Sequence, residues 1–319
     1  MTPIPFTTTL LATTQILLMG AVGYVLIRIR FLDEKGLDLL TKLLITIFLP
    51  SMGFYYMTKN FSFEAYPHWW MLPLIALGIP AVGFILSQAY LFFKKEIPFK
   101  SHFTALVSFP NAGYIPLLLV NTLFPEDVAQ KLFVAIFIFF IGFDLSLWTL
   151  GVWLVNREKK AAFDWNNLLN PPLLTIITAL FVIYFHGHEF IPQTILKPMK
   201  AIGDCSLPIA MLVVGGNLAK TRISSFPVGE MTVYLLMKLI MIPLIGLLVL
   251  MQWKLSFILS FVLLIETAVP SAVSLSVMAR YYKVNGEFIN QATLISHVLS
   301  VLTIPMFVYA WSLLYGGRM

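Results

Sequence analysis

The chain has 319 residues, 59% of them hydrophobic and 11% charged, with a mean hydropathy of +0.87. Ordinary soluble domains carry about 25% charged residues, so this composition excludes a water-soluble globule, and the net charge of +6 reads as loop charge that sets topology rather than as a nucleic-acid surface. Lone Cys205 rules out an internal disulfide and a cysteine-based metal cluster.

A helix needs about 20 mostly apolar residues to cross the hydrocarbon. Ten segments meet that requirement: 6–29, 37–57, 69–93, 102–124, 131–154, 167–185, 195–218, 228–253, 255–280 and 288–315. The first is uncharged as far as Ile27 and has neither a basic leader nor a small-residue cleavage site. It is expected to be a retained span rather than a signal peptide. The second carries Lys42 and Leu49-Pro50, and the third carries Pro80 with Trp69 and Trp70 at its outer end. Mid-way through the fourth stands Ser108-Phe109-Pro110-Asn111-Ala112-Gly113-Tyr114-Ile115-Pro116, and the fifth holds Asp144. The longest polar joint, 156–167, contains Arg157, Glu158, Lys159, Lys160 and Asp164 and lies at the midpoint of the chain. Beyond it come Asp204 and Pro208 in the seventh segment, Lys238 and Pro243 in the eighth, Glu266 through Ser274 in the ninth and His297 in the tenth.

The basic residues are unevenly shared between the two sides. Thirteen follow the odd-numbered segments (Arg28, Arg30, Lys35; Lys94, Lys95, Lys100; Arg157, Lys159, Lys160; Lys220, Arg222; Arg280, Lys283), whereas six lie opposite (Lys59, Lys131, Lys197, Lys200, Lys254, Arg318). The positive-inside rule then places both termini outside the cytoplasm in a cell-membrane protein.

The proline pattern recurs at nearly constant offset. Pro50 and Pro208 each follow a lysine by eight residues, and Pro110 and Pro270 stand 16 and 17 residues before Glu126 and Glu287. Pro80 pairs with Pro243. Three ordered matches across half the chain imply an all-α polytopic membrane protein of ten spans in two five-helix repeats, 1–157 and 158–319. Five is odd, so the second repeat enters the membrane from the other side, which is the inverted plan of secondary transporters.

Pro110, Gly113 and Pro116 break the fourth helix, and Pro270 breaks the ninth, because proline removes a backbone donor in mid-helix. Half-helix N-termini expose N–H groups that attract an anion. Asn111, Ser271 and Ser274 would add side-chain hydrogen bonds there.

These residues also carry a resemblance. Ala268-Val-Pro-Ser-Ala-Val-Ser-Leu-Ser-Val-Met-Ala-Arg-Tyr-Tyr282 through Pro305, Lys238 five residues before Pro243, and Asp204 in Gly203-Asp204-Cys205-Ser206-Leu207-Pro208 resemble the auxin efflux carrier family. That family belongs to a broader group that includes the bile-acid sodium symporters. The resemblance covers nearly the whole chain, and the break Asn111-Ala-Gly-Tyr-Ile-Pro116 is closer to the bacterial members than to the plant carriers. It implies that the broken fourth and ninth helices cross and bind a small organic anion near Asn111 and Pro270. A malate- or malonate-sized carboxylate is the expected substrate, with an auxin-like aromatic weak acid as the alternative.

An ionisable residue at mid-bilayer costs about 2.5–3.5 kcal/mol. Glu266, four residues before Pro270, is therefore the candidate ion-coupling residue. It could bind Na⁺ with backbone carbonyls or carry a proton; no other metal or cofactor is expected. Asp204 and Lys238 are expected to form a buried pair, and Asp144 has no evident partner. His297 reads as a core histidine. The expected partners are the anion and the lipid bilayer, with no nucleic acid and with room for a homodimer. A uniporter without ion coupling is the second reading. An intramembrane aspartyl protease built on Asp144 and Asp204 is remote, because Phe143-Asp144 and Ile202-Gly203-Asp204 miss the motifs such sites require.

Overall fold

A computed structural model of the chain describes residues 3–94, 96–157, 169–221 and 226–316. Lys95, Glu158, Lys159, Lys160, Asp164, Arg222 and Arg318, together with the proposed joint between repeats, lie outside the described residues. The described residues form helices in the order α1 Phe6–Arg28, α2 Glu34–Asn60, α3 Met71–Phe93, α4 Lys100–Ser108, α5 Tyr114–Leu123 and α6 Glu126–Asn156. There follow α7 Pro171–Tyr184, α8 Gln193–Ala219, α9 Val228–Gln252, α10 Phe257–Ala268, α11 Val273–Tyr281 and α12 Glu287–Gly316. Seven of these (α1, α2, α3, α6, α8, α9 and α12) are long and apolar enough to cross a membrane. The other three sequence segments are met by shorter apolar helices, α5, α7 and α10, with α4 and α11 as the missing halves of the fourth and ninth.

The helix starts have local causes. Asp33 accepts a hydrogen bond from the Gly36 N–H (2.7 Å) and Asn170 from the Leu173 N–H (2.9 Å), the latter just before Pro171-Pro172. Both satisfy first-turn donors that have no intrahelical acceptor, and proline at the first helical position gives up none. Pro50 and Pro243 each stand two residues after a π-helical turn, Leu44–Phe48 in α2 and Met237–Met241 in α9. The widened turn absorbs the carbonyl that proline leaves without a donor. Pro80, the expected mate of Pro243, instead sits within the continuous α3.

Close helix contacts depend on glycine. A Cβ on Gly215 of α8 would lie 1.7 Å from the Gly20 carbonyl oxygen of α1, and one on Gly23 would lie 2.2 Å from that of Leu212. A Cβ on Gly142 of α6 would come within 2.1 Å of the Pro73 carbonyl oxygen in α3. Small residues let backbones approach where no hydrophobic force drives helices together. The central helix is α6, most of whose apolar stretch is buried, in contrast to α1, whose exposed Leu11, Leu18, Val22 and Val25 suit contact with lipid.

Ion pairs tie the helix ends together. Lys220 at the end of α8 meets Glu34 at the start of α2 (3.5 Å), and Lys94 after α3 meets Glu230 in α9 (3.5 Å). Arg280 of α11 donates to Asn217 of α8 and lies within electrostatic reach of Asp38 and Glu34. The loops after the first, third, seventh and ninth segments thus gather at one end of the bundle, as the charge distribution requires.

Candidate functional site

The two breaks meet. At Phe109 the chain leaves α4 in an extended conformation, and at Val269 it leaves α10 in the same way. Pro110 and Ser271 form an isolated antiparallel bridge. The Asn111 N–H donates to the Pro270 carbonyl (2.8 Å) and the Ala272 N–H to the Phe109 carbonyl (3.0 Å). Backbone groups freed from the two helices therefore satisfy each other across the crossing, which is how irregular backbone survives inside a membrane bundle.

Side chains lock the crossing from both sides. The Ser271 hydroxyl donates to the Leu106 carbonyl of α4 (2.6 Å) and so accepts from the Tyr234 hydroxyl of α9 (2.6 Å). The His297 Nδ1 lies 2.7 Å from the Thr293 carbonyl and its Nε2 lies 3.0 Å from the Asn111 Nδ2. A carbonyl accepts only, so Nδ1 carries the proton and Nε2 accepts from the Asn111 amide. His297 is therefore not merely packed in the core; it orients Asn111.

The helix ends create two polarities around the crossing. The first turns of α5 and α11, from Gly113 and Ala272 onward, present N–H groups without intrahelical acceptors, and the last turns of α4 and α10 present carbonyls. Pro116 has no N–H to offer and is buried in the first turn of α5. Pro110, Asn111, Pro270 and Ser271 are buried as well, while Gly113 and Ser274 are half-buried. The Ser108 hydroxyl, at the end of α4, is buried without a hydrogen-bond partner.

Residues 8–167 and 157–308 match the family model described as membrane transport protein. The chain belongs to this family, that of the auxin efflux carriers. An uncharacterized transporter of Methanocaldococcus jannaschii is similar, at 24% identity over 311 residues, which cover 94% of this chain and 97% of that protein. Membership in the membrane transport protein family makes the chain a multi-pass membrane transporter.

The intramembrane charges are arranged differently from the sequence reading. Asp204 does not pair with Lys238. It is bound by Lys200 one turn earlier in α8 (2.8 Å) and by the Tyr56 hydroxyl of α2 (3.3 Å), and its side chain is 45% exposed. The i,i+4 spacing on one helix face wins over a cross-helix partner. Lys238 is fully buried in the π-helical turn of α9, and the charge that acts on it is Glu266, likewise fully buried. Asp144 also has a partner, since it accepts from the Asn170 Nδ2 (3.1 Å) at the start of α7. The two aspartates weighed as a hydrolytic dyad are thus engaged separately.

A cavity of about 480 Å³ opens between α1, α8 and α12 and reaches Ile115 of α5. Its walls are apolar, with Ile16, Met211, Val214 and Ile295 among them, and His297, the partner of Asn111, is one of its few polar groups.

Proposed function

We propose that this transporter is a secondary carrier of a small organic anion, a carboxylate, moved by alternating access with the anion held at the crossing of the two broken helices. The observation that carries the reading is the antiparallel meeting of Pro110 and Ser271, because it sets two half-helix N-termini beside one another. Their free N–H groups and aligned dipoles suit a carboxylate, and Asn111, Ser271 and Ser274 add side-chain polarity at the same level. Pro110, Gly113 and Pro270 serve the site by keeping the backbone out of helical form, whereas Pro116 lies within the first turn of α5, where its missing N–H costs no intrahelical bond. Glu266, one turn before the α10 break, is the residue through which an ion, Na⁺ or a proton, couples to the anion. The two halves, 1–157 and 158–319, act as inverted repeats in a cell membrane with both termini outside the cytoplasm.

The experiment is transport into vesicles reconstituted with the purified protein, using radiolabelled malate and malonate. Saturable uptake that is competed by unlabelled carboxylate supports the carrier; no uptake across a carboxylate panel contradicts it. The apolar cavity that His297 helps to line favours a second substrate reading, an acid with an aromatic or otherwise apolar body whose carboxylate reaches Asn111. Competition by indole-3-acetate stronger than that by malonate would select it. Uptake that ignores Na⁺ and pH, in the wild type as in Glu266→Gln, would make the protein a uniporter.

A further inference from the structure

The Lys238 Nζ and both carboxylate oxygens of Glu266 are buried and have no hydrogen-bond partner. Native proteins rarely leave such groups unmatched, so each one calls for an explanation. Here the explanation lies in their relation: they come from different helices, act on one another electrostatically and do not touch. Among the described residues, each is the one charge that acts on the other. Tyr234, one turn before Lys238, is committed to Ser271, and His297 is committed to Asn111 and Thr293. Among the described residues no cluster of three or more His, Cys, Asp or Glu side chains forms a metal site.

We propose that Lys238 is a tethered cation, its ammonium standing where a coupling Na⁺ would otherwise balance Glu266, so that the protein takes up no Na⁺ at the crossing. This refines the reading of Glu266 given above. A Na⁺ bound at the Glu266 carboxylate would share a buried region with a like charge. Two like charges that share a buried region at an effective dielectric of about 20 repel enough to weaken cation binding about a hundredfold. The π-helical turn gives the lysine its position: it widens the helix at Met237–Met241, two residues before Pro243, and turns Lys238 inward where a surface lysine would extend to water. Lys238 is thus a specificity-determining residue for the driving ion rather than a structural anchor.

The test needs no substrate, so its outcome stands apart from whether a carboxylate is carried. Purified protein is melted in NaCl and in choline chloride at equal ionic strength, since a cation bound only by the folded state raises its melting temperature. The wild type should melt at the same temperature in both salts. Lys238→Ala, which leaves the Glu266 carboxylate without a counter-charge, should melt lower in choline and recover as Na⁺ is added, with an apparent Na⁺ affinity about a hundredfold above any in the wild type. Adding Glu266→Gln to Lys238→Ala should abolish that recovery, and Lys238→Arg should remain indifferent to Na⁺. Saturable Na⁺ stabilisation of the wild type that Glu266→Gln removes would overturn the proposal, as would a folded Lys238→Ala that gains no response to Na⁺. Should Lys238→Ala fail to fold, the wild-type comparison decides alone: indifference to Na⁺ supports the tethered cation and saturable stabilisation refutes it.

Discussion

Asn111 is held at two points, its backbone N–H on Pro270 and its amide on His297, so its second amide N–H and the neighbouring helix N-terminus have fixed directions. Replacing it by alanine keeps the backbone bond and removes the side chain from the anion. Asn111→Ala should weaken carboxylate binding by about 1.5–3 kcal/mol, roughly 10- to 150-fold, while the yield of folded protein holds. Binding within twofold of the wild type, measured by competition in the reconstituted system, would remove Asn111 from the site. Ser271 and Tyr234 form the opposite lock. A double-mutant cycle of Ser271→Ala and Tyr234→Phe, read by thermal unfolding, should show a coupling of about 0.5–3 kcal/mol because the two hydroxyls share one buried chain ending at Leu106. Additive losses would mean that the chain is not a unit. That Asn111, Ser271 and Pro270 stand at the helix breaks was legible in the sequence, because prolines in mid-span announce where polar backbone must be dealt with. Tyr234 and His297 were not, since each sits in an apolar run and its partner is about 37 or more residues away along the chain. The spacing of Tyr234 and Lys238, one helical turn apart beyond the polar first turn of α9, was the available signal for a polar face on that helix.

At the scale of the helices, the breaks follow from chemistry local to them. Proline lacks a donor, and residues next to it lean toward extended backbone, so α4 and α10 end where the sequence says they must. The pairing of Asp204 with Lys238 failed for the opposite reason. Which helix faces lie together is a tertiary matter, and the lysine one turn away on α8 was the nearer partner. Helix contacts of the α1–α8 kind were equally invisible, because a glycine in a membrane helix gives no sign of which backbone it meets. They do yield a sharp contrast. Gly215→Ala should lower stability by about 1–3 kcal/mol or more, since its methyl group would strike the Gly20 backbone, which cannot swing aside as a side chain would. Gly78→Ala, with nothing within 4 Å of the new carbon, should be neutral or gain up to about 1 kcal/mol of helix propensity. Melting temperatures of the two variants side by side would show whether α1 and α8 touch as described; equal values would deny the contact.

For the whole molecule, the gathering of Lys220, Glu34, Lys94, Glu230 and Arg280 at one end gives the charge asymmetry of the sequence a spatial form. If that end faces the cytoplasm, Lys35→Cys in a Cys205→Ser background should react with a membrane-impermeant maleimide only after the membrane is opened, whereas Glu189→Cys should react in intact cells. Labelling in the reverse order would invert the topology, though not the crossing. What ties the levels together is the claim that the crossing is a carrier's site and not only a kinked junction. Counterflow tests it most directly: vesicles preloaded with unlabelled malonate are diluted into trace labelled malonate, with wild-type protein and with Asn111→Ala. The account predicts a transient accumulation of label above its external level in the wild type, and loss of that overshoot in the variant at the same substrate concentration. Label that only equilibrates through the wild-type protein, with no overshoot for any carboxylate on the panel, would contradict it.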